Sequence, residues 1–273
     1  MTQTRRHILV VGSVGADIVV EVDRMPARGE TVSASKSDTG NVYPGGKGDN
    51  QAATIAKLIG ADHPTLTAKM ACHGANSAWS NELPTGLTDA IKTTAFVLVQ
   101  CEIPVRVNAL VAKAAAETHV PVMWDTGGDD YPIPADVLPL LTFVCPNETE
   151  LARLTTREVN DIDDAIEAAR FLQEQGAKDV LVTLGADGSV YVPVDGTEVV
   201  RQRTFKVDNV VDTTGAGDCY RGAFAVAFAE GRSIQDCMVR ASAASALCVQ
   251  RPGALPSLPS GDEVVDFLKA NGL

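Results

Sequence analysis

Apolar residues along the chain fall into short β-branched runs that alternate with longer segments of helical spacing. Such alternation predicts a mainly parallel sheet with helices on both faces, which is an α/β fold. The predicted strands are 7–11, 66–71, 95–99, 120–124, 142–145, 180–184, 189–194 and 197–203, and the predicted helices are 47–59, 105–118, 135–141, 148–154, 163–175, 216–229, 233–249 and 262–270. In sheets of this kind, ligands bind at the carboxyl ends of the strands.

Two further predicted strands, 18–23 and 31–36, lie outside this alternation and are separated by Pro26 and Gly29. Their half-exposed pattern indicates an appendage to the main sheet, and we expect a small β lid formed by about residues 17–40. No repeat, low-complexity tract or long linker interrupts the chain. We therefore expect residues 1–273 to form a single α/β domain.

The charge balance narrows the range of partners. With 23 basic and 35 acidic residues, the formal net charge is −12, which argues against nucleic acid and against an anionic membrane surface as the main partner. ATP stays open, since a phosphate site is built locally from amides and one or two cations. There is no apolar run of ~18 residues and no signal-peptide cleavage pattern, so we expect a cytoplasmic protein.

The segment Asp212–Asp218, with the sequence DTTGAGD, directly precedes an apolar helical run. Its small residues allow the backbone to approach a ligand closely, and the helix start presents unpaired N–H groups to an anion. Asp218 falls in the first helical turn, where a carboxylate can accept a proton from an attacking hydroxyl. From spacing alone, a glycine-rich helix start capped by Asp218 is the alternative.

A second glycine-rich segment, Gly45–Gln51, opens the predicted helix 47–59. Paired glycines permit tight contact with a polar ligand, and the Asn50 amide can both donate to and accept from vicinal hydroxyls. The segment lacks the spacing of a Walker A loop. A simple loop with a helix cap is the alternative.

Two weaker segments also follow predicted strands. Asp17 ends the segment Gly12–Asp17 and suits a sugar diol, although an exposed turn aspartate is the simpler interpretation. The segment Pro146–Glu150 places carboxylates where Mg²⁺ can be held through water, and helix N-capping is the alternative there.

Taken together and in this order, these segments resemble the ribokinase (PfkB-type) family of carbohydrate kinases. Residues 45–50 are similar to the N-terminal signature of that family, and residues 212–218 to its C-terminal signature. The resemblance implies a three-layer αβα sandwich with a small β lid, ATP as co-substrate, Mg²⁺ and an activating monovalent cation such as K⁺. Within the family, 45–52 (GGKGDNQA) is most similar to the ribose-phosphorylating members, which implies transfer of the ATP γ-phosphoryl group to the 5-hydroxyl of D-ribose.

The resemblance also implies roles for single residues. Asp218 corresponds to the general base, and the backbone of Gly215, Ala216 and Gly217 corresponds to the anion hole for the transferred group. The implied sugar site consists of Gly15, Asp17, Gly46, Lys47, Asn50 and Glu102.

The same resemblance implies nucleotide and cation sites. It also allows a homodimer formed through the lid. The implied ATP-binding residues are Asn147, Thr183, Gly185, Gly188 and Ser242, and Asn147 and Glu150 would organise Mg²⁺. The implied loops for the monovalent cation contain Asp212, Thr214, Cys248, Arg251, Gly253 and Ser257, several of which would act through carbonyl oxygens.

Three departures from the family pattern stand out. Gly15 occupies a position where these kinases usually carry a sugar-contacting Asn, which weakens the case for ribose in particular. Arg221 is unusual so near the base, and we expect it to form a surface ion pair or to cover the helix rather than to bind phosphate.

The third departure is an interruption between Cys72 and His73, where the family has several dozen more residues that form a strand–helix unit and the second half of the lid. Either those residues are omitted from this sequence, or the chain is shortened and lacks half its lid. We favour omission, because loss of a covering helix would expose the core of a parallel sheet.

Two other functions remain open. The first is a related kinase of the same family that acts on a fructose-like sugar or a nucleoside. The second is a non-catalytic sugar or nucleotide sensor on the same scaffold, which would have no need to keep a base such as Asp218.

Overall fold

The computed structural model describes residues 6–18, 22–24, 27, 30–33, 42–73 and 76–273. The strands of the main sheet are β1 (Arg6–Val11), β4 (Leu66–Ala71), β5 (Thr94–Cys101), β6 (Val122–Gly128), β7 (Phe143–Cys145), β8 (Asp179–Thr183), β9 (Ser189–Val192) and β10 (Val200–Gln202), and a small second sheet contains β2 (Gly15–Ile18) and β3 (Val42–Gly45). The helices are α1 (Lys47–Ile59), α2 (Thr85–Lys92), α3 (Val105–Glu117), α4 (Glu148–Thr155), α5 (Ile162–Glu174), α6 (Ala216–Ala229), α7 (Ile234–Cys248) and α8 (Gly261–Ala270).

The main sheet has eight strands in the order β10-β9-β8-β7-β6-β5-β1-β4. The six strands β4, β1, β5, β6, β7 and β8 pair in parallel, and β9 and β10 are added antiparallel at one edge. This arrangement confirms the predicted mainly parallel α/β fold.

Helices cover both faces of this sheet, so that the molecule has three layers. Alternate residues of β1 enter different cores: Leu9 and Val11 pack on the face of α2, α3, α4 and α5, whereas Ile8 and Val10 pack on the face of α1, α6, α7 and α8. All eight residues of β5 are buried, as expected for a central strand covered on both sides. No helix within the described part of the chain is long and apolar enough to cross a membrane.

The element predictions hold where local periodicity is strong. The predicted helices 47–59 and 216–229 and the strand 66–71 match the structure residue for residue. The predicted helix 135–141 is wrong: only a 3₁₀ turn forms at Leu138–Leu140, because Pro139 lacks the N–H and disfavours a helical residue before it. Helix α2 was not expected, since Leu87 and Ile91 are its only buried residues.

The lid differs from the prediction. Strand β2 pairs antiparallel with β3, which places Gly15 opposite Gly45 and Asp17 opposite Tyr43. Among the described positions of the predicted strands 18–23 and 31–36, Ile18 alone lies in a strand, while 19–21 and 34–36 lie outside the described residues. The lid therefore begins directly after β1, since its partner strand is supplied by the residues just before α1.

The predicted interruption after Cys72 lies between β4 and β5. Strand β4 is the edge of the main sheet, and the described residues between β4 and β5 hold no other strand. A cavity of about 290 Å³ lies beside this edge, lined mainly by apolar residues that include Leu9, Trp79 and Leu87. An open cavity against the sheet is the exposure expected where a covering segment is absent.

Candidate active site

Several residues singled out in the sequence lie at the carboxyl ends of the parallel strands, together with others that were not. Ser13 follows β1, Glu102 follows β5, Asp125 lies within β6, and Asn147 follows β7. The first turns of α1, α4 and α6 reach the same edge of the sheet. The site therefore lies where parallel α/β sheets bind their ligands.

The start of α1 packs tightly against the loop that follows β1. A Cβ on Gly48 would lie 2.6 Å from the backbone N and O of Ser13, so no larger residue fits there. The backbone N–H of Lys47 donates to Glu102 Oε2 at 2.8 Å, and the Ser13 hydroxyl donates to the same oxygen. Glu102 thus lies at the N-terminus of α1, where the helix dipole favours a carboxylate.

Asp218 is the buried carboxylate at the centre of the site, with 4% of its surface exposed. Asn50 Nδ2 donates to its Oδ2 at 3.0 Å, and Gln51 Nε2 donates to its Oδ1 at 3.1 Å. Burial raises the pKa of Asp218, Lys47 at 3.9 Å opposes that rise, and the nearby carboxylate of Asp125 adds to it. A carboxylate with a raised pKa is suited to accept a proton from a hydroxyl.

The first turn of α6 is free of any side-chain cap. Gly215 takes a left-handed conformation with φ 76° and turns the chain into the helix. The alternative in which Asp218 caps this helix is wrong, because its carboxylate accepts from Asn50 and Gln51. The helix start at Gly215, Ala216 and Gly217 therefore carries no side-chain cap, and its Ala216 N–H donates to the carbonyl oxygen of Thr213 at 3.2 Å. Helix starts of this kind suit an anion.

Asp125 is a buried site residue that the sequence analysis missed. Its Oδ2 accepts from Gln51 Nε2 at 2.8 Å, and its Oδ1 accepts from the N–H of Gly127 at 2.9 Å. Gln51 therefore bridges the carboxylates of Asp125 and Asp218. The available signal was position, since Asp125 directly follows the predicted strand 120–124 at the ligand-binding edge.

Arg221 is buried, and the expected surface position is wrong. Only 3% of this residue is exposed. Its Nη2 lies 3.3 Å from Asp125 Oδ1 and 3.7 Å from Glu150 Oε2, and it donates to the carbonyl oxygen of Cys145 at 2.9 Å. The acidic partners raise the pKa of Arg221 against the opposing effect of its burial, so the guanidinium stays charged.

Lys47 supplies the second cation of this cluster. Its Nζ lies 3.8 Å from Asp125 Oδ2 and 3.9 Å from Asp218 Oδ1. Asp125 is the main cause of the raised pKa of Lys47, against the effect of burial. The ammonium group is therefore held charged beside the candidate base.

Asn147 and Glu150 form the N-terminal capping box of α4. Asn147 Oδ1 accepts from the Glu150 N–H at 2.8 Å, and Glu150 Oε2 accepts from the Asn147 N–H at 2.9 Å and from the Thr126 hydroxyl at 2.8 Å. The capping alternative is thus correct for this segment. The described residues contain no group of three or more His, Cys, Asp or Glu side chains that could hold a metal.

The predicted nucleotide residues lie beside α4. Thr183 is bridged to Asn147, and its N–H donates to the carbonyl oxygen of Pro146 at 3.0 Å. Beyond it the turn Gly185–Asp187 leads to Gly188, which has φ 95°. Ser242 lies on α7 and donates to the carbonyl oxygen of Arg203 at 3.4 Å. The structure thus brings Thr183 and Asn147 together at one edge, with Ser242 on a separate helix.

The two predicted cation loops are joined through Asp212. Its Oδ1 accepts from the Thr214 N–H at 2.9 Å, and its Oδ2 accepts from the Gly253 N–H at 2.8 Å. These hydrogen bonds, led by those of Thr214, lower the pKa of Asp212. Cys248 and Ser257 lie in contact with a sulfur–oxygen distance of 3.0 Å, while Arg251 pairs with Glu263 at 2.5 Å.

The lid residues differ in how tightly they are held. A Cβ on Gly45 would lie 2.1 Å from Asp17 Oδ2, so the carboxylate of Asp17 lies directly over Gly45. A Cβ on Gly15 would make only ordinary contacts, 3.5 Å from Gly45. The fold therefore requires no glycine at position 15.

Known proteins share both the sequence and the architecture of this chain. A family model described as pfkB family carbohydrate kinase matches residues 67–261. The chain is 37% identical to a ribokinase of Arabidopsis thaliana, over 96% of this chain and 81% of that protein, and 30% identical to a ribokinase of Haemophilus influenzae, over 97% and 99%. The structure of Arabidopsis thaliana ribokinase complexed with ribose and ATP superposes with a TM-score of 0.85 at 36% identity, covering 98% of this chain and 99% of that one.

The alignment with the Arabidopsis ribokinase also bears on the interruption after Cys72. It extends over 310 positions, which is 37 more than the 273 residues of this chain. At least that many aligned positions have no counterpart here. The interruption after Cys72 stays a prediction, and both explanations for it stay open.

Proposed function

This chain belongs to the pfkB family of carbohydrate kinases, and on that premise we propose that it transfers the γ-phosphoryl group of ATP to the 5-hydroxyl of D-ribose. The observation that carries the proposal is the buried carboxylate of Asp218 at the uncapped start of α6, held by Asn50 and Gln51. In this proposal Asp218 is the base, and the N–H groups at the start of α6 form the anion hole beside it. The likeness to ribokinases in sequence and architecture supports ribose as the sugar.

In the proposed reaction, Asp218 accepts the proton of the attacking hydroxyl. The N–H groups at Gly215–Gly217 and the helix dipole stabilise the negative charge on the transferred group. Phosphoryl transfer depends mainly on positioning and charge stabilisation. The hydrogen bonds from Asn50 and Gln51 fix the orientation of the Asp218 carboxylate for this task.

The sugar would lie between the lid and the start of α1. The carboxylate of Asp17 lies against Gly45, and it suits a vicinal diol. Glu102 lies on the opposite side, fixed by the Lys47 N–H. Together with Asn50 and Lys47, these groups offer both hydrogen-bond donors and hydrogen-bond acceptors. Gly15 contributes no side chain, so one contact typical of the family is absent.

The residues present fit the proposed cations. Mg²⁺ prefers oxygen ligands and keeps several waters, so Glu150 and Asn147, next to Thr183, would hold it together with the nucleotide phosphates. When bound, Mg²⁺ neutralises phosphate charge. The loops joined by Asp212, which contain Thr214, Cys248, Arg251, Gly253 and Ser257, offer carboxylate, hydroxyl and carbonyl oxygens to a K⁺ ion.

The test is ADP release from Mg²⁺-ATP with D-ribose, with and without K⁺, using Asp218→Asn as the control. We expect ribose-dependent turnover that K⁺ increases and that the substitution abolishes. Fructose and adenosine in the same assay distinguish the related kinases. Ribose binding without ADP formation in the well-folded protein would instead support the sensor.

A homodimer through the lid also belongs to this proposal. Val42 and Tyr43 on β3 are 57% and 44% exposed, which leaves apolar surface on the lid for a second copy. Sedimentation velocity of the protein and of Tyr43→Ser tests it, and we expect the substitution to shift the protein toward the monomer.

A further inference from the structure

Arg221 lies directly beneath the candidate anion hole. It follows Gly217 by one helical turn, and long side chains in a helix extend toward its N-terminus. Nη1 of Arg221 lies 2.7 Å from the point where a Cβ on Gly217 would be. The guanidinium therefore packs against the first turn of α6, and a larger residue at 217 would displace it.

Arg221 also connects two carboxylates from separate elements. Its Nη2 lies between Asp125 on β6 and Glu150 on α4, at 3.3 and 3.7 Å, and donates to the Cys145 carbonyl. The Nε–H is buried and has no partner among the described residues. An arginine carries five N–H donors, so the described part of the chain does not satisfy every donor of this guanidinium.

The balance of charge in the cluster depends on this residue. Three carboxylates, those of Asp125, Glu150 and Asp218, lie near two cations, those of Lys47 and Arg221. Without Arg221, Lys47 would face three buried carboxylates alone. Removing one partner of a buried ion pair leaves an uncompensated charge, which is strongly unfavourable.

We propose that Arg221 is a positioning residue for phosphoryl transfer: its buried guanidinium fixes Asp125 and Glu150 and supplies positive charge beneath the helix start that receives the transferred group. This inference rests on the proposed kinase function. In this inference Arg221 acts through two other residues, the proposed base Asp218 and the proposed Mg²⁺ residue Glu150. Arg221 itself is neither the base nor a metal ligand. This role also accounts for a charged side chain that is buried within α6.

Substitution of Arg221 and substitution of Asp125 are expected to shift the pKa of Asp218 in opposite directions. The charged groups that face Asp218 are Lys47 on α1, Asp125 on β6 and Arg221 on its own helix. Glu150 on α4 lies beyond Arg221. The thiols of Cys219 and Cys248 are also nearby. Arg221 lowers the pKa of Asp218, whereas Asp125 raises it. A purely structural role for Arg221 would not produce opposite shifts from its removal and from that of Asp125.

The experiment compares wild type with Arg221→Met, Asp125→Asn, the double variant and Arg221→Lys. The readouts are the pH profile of kcat/KM for ribose, the KM for Mg²⁺, and carbon-13 NMR titration of the aspartate carboxylates in the substrate-free protein. Arg240→Met is the matched control, since Arg240 pairs with Glu230 away from the site.

We expect Arg221→Met to move the acidic limb and the Asp218 titration to higher pH, and to lower kcat by ~10²-fold, as loss of one charge-stabilising group does. Asp125→Asn should move both to lower pH. The double variant should lie between them and recover ~10-fold of the lost kcat, because coupled residues are not additive. Arg221→Lys should retain part of the activity and raise the KM for Mg²⁺.

The inference is overturned if Arg221→Met leaves the acidic limb and kcat unchanged, or if both single substitutions shift Asp218 in the same direction. If Arg221→Met fails to fold, comparison of Asp125→Asn with the double variant tests the same effect. The double variant removes one acidic and one basic group, so the net charge of the cluster is unchanged. Wild type that turns over no sugar would overturn the proposed function, whereas the NMR titration would still report the effect on Asp218.

Discussion

At the scale of single residues, environment decides which carboxylate does chemistry. Asp218 and Asp125 are both buried and both accept a hydrogen bond from Gln51. Asp125 is further compensated by Arg221 and by the Gly127 N–H. Asp218 instead lies in the first turn of α6. Under the proposed function the two carboxylates have different roles, Asp218 as base and Asp125 as part of its support.

The raised pKa of Asp218 sets the pH dependence of the reaction. Asp218 must be ionised to accept a proton, and its pKa lies above the ordinary value of 3.8 because of burial. Activity is therefore expected to fall as the pH drops through this raised pKa. The measurement is kcat/KM for ribose as a function of pH. An acidic limb at or below the ordinary aspartate value would contradict the assignment.

Gly15 leads to a prediction about sugar affinity. Because a Cβ there makes only ordinary contacts with Gly45, Gly15→Asn should fold and restore an amide to the sugar side of the lid. We expect the KM for ribose to fall about tenfold, the equivalent of one good hydrogen bond, with kcat little changed. Gly15→Ala is the matched control, since it adds the Cβ without the amide. An equal effect of both substitutions would show that the amide makes no sugar contact.

At the scale of elements, one local structure serves both stability and function. The capping box of Asn147 and Glu150 satisfies free N–H groups at the start of α4. It also holds the Glu150 carboxylate toward Thr126 and the strand end. The same two residues are the proposed organisers of Mg²⁺. Under this proposal, the metal site would be built from a helix terminus that folds by its own local signals.

Two substitutions separate these contributions. Asn147→Ala should lower the free energy of unfolding by about 1 kcal/mol, because the cap is lost. Asn147→Ser keeps a capping oxygen and should restore most of that stability, but it removes the amide that donates to Glu150 Oε1 at 2.9 Å. We expect both variants to raise the KM for Mg²⁺. Urea unfolding and Mg²⁺ titration of activity are the measurements, and a serine variant with normal Mg²⁺ dependence would restrict Asn147 to capping.

At the scale of the whole molecule, the sheet unites the two cores. Alternate residues of β1 enter opposite cores, as Ile8 and Leu9 do. Neither core can form without the same strands. The proposed ligands also bridge elements from both faces, since α1 and α6 come from one side and α4 from the other.

Because the cores share their strands, residues 1–273 are expected to unfold in a single cooperative transition. Far-ultraviolet circular dichroism and the fluorescence of the buried Trp124 should give coincident midpoints in urea. Ribose with ATP should raise Tm, since ligands that bind only the folded state stabilise it. Two separate transitions would contradict the single-domain prediction.

The open cavity beside β4 leads to a prediction about mass. If residues are omitted from this sequence near Cys72, the protein isolated from its source will exceed 28.7 kDa. We expect the larger mass, because a covering segment would fill the cavity against Leu9 and Trp79. Intact-mass spectrometry decides it, and a value of 28.7 kDa would establish the shortened chain.

Much of this protein was determined by the sequence alone, through signals that act over a few residues. The alternation of strands and helices predicted a parallel sheet covered on both faces. The segments 45–51 and 212–218 indicated the two helix starts of the candidate active site. Two of their glycines, Gly46 and Gly215, take positive φ values of 97° and 76° that local backbone geometry requires. Such turns can be predicted from sequence because glycine meets this requirement within its own segment.

The tertiary structure decided what depends on partners far apart in the chain. Strand β2 pairs with β3 across the lid, and Gln51 meets an Asp218 that lies 167 positions away. Arg221 is buried because Asp125 and Glu150 compensate its charge, and no local pattern on α6 records those partners. Burial and charge pairing are properties of the packed molecule, and for that reason the support of the base could be identified only from the structure.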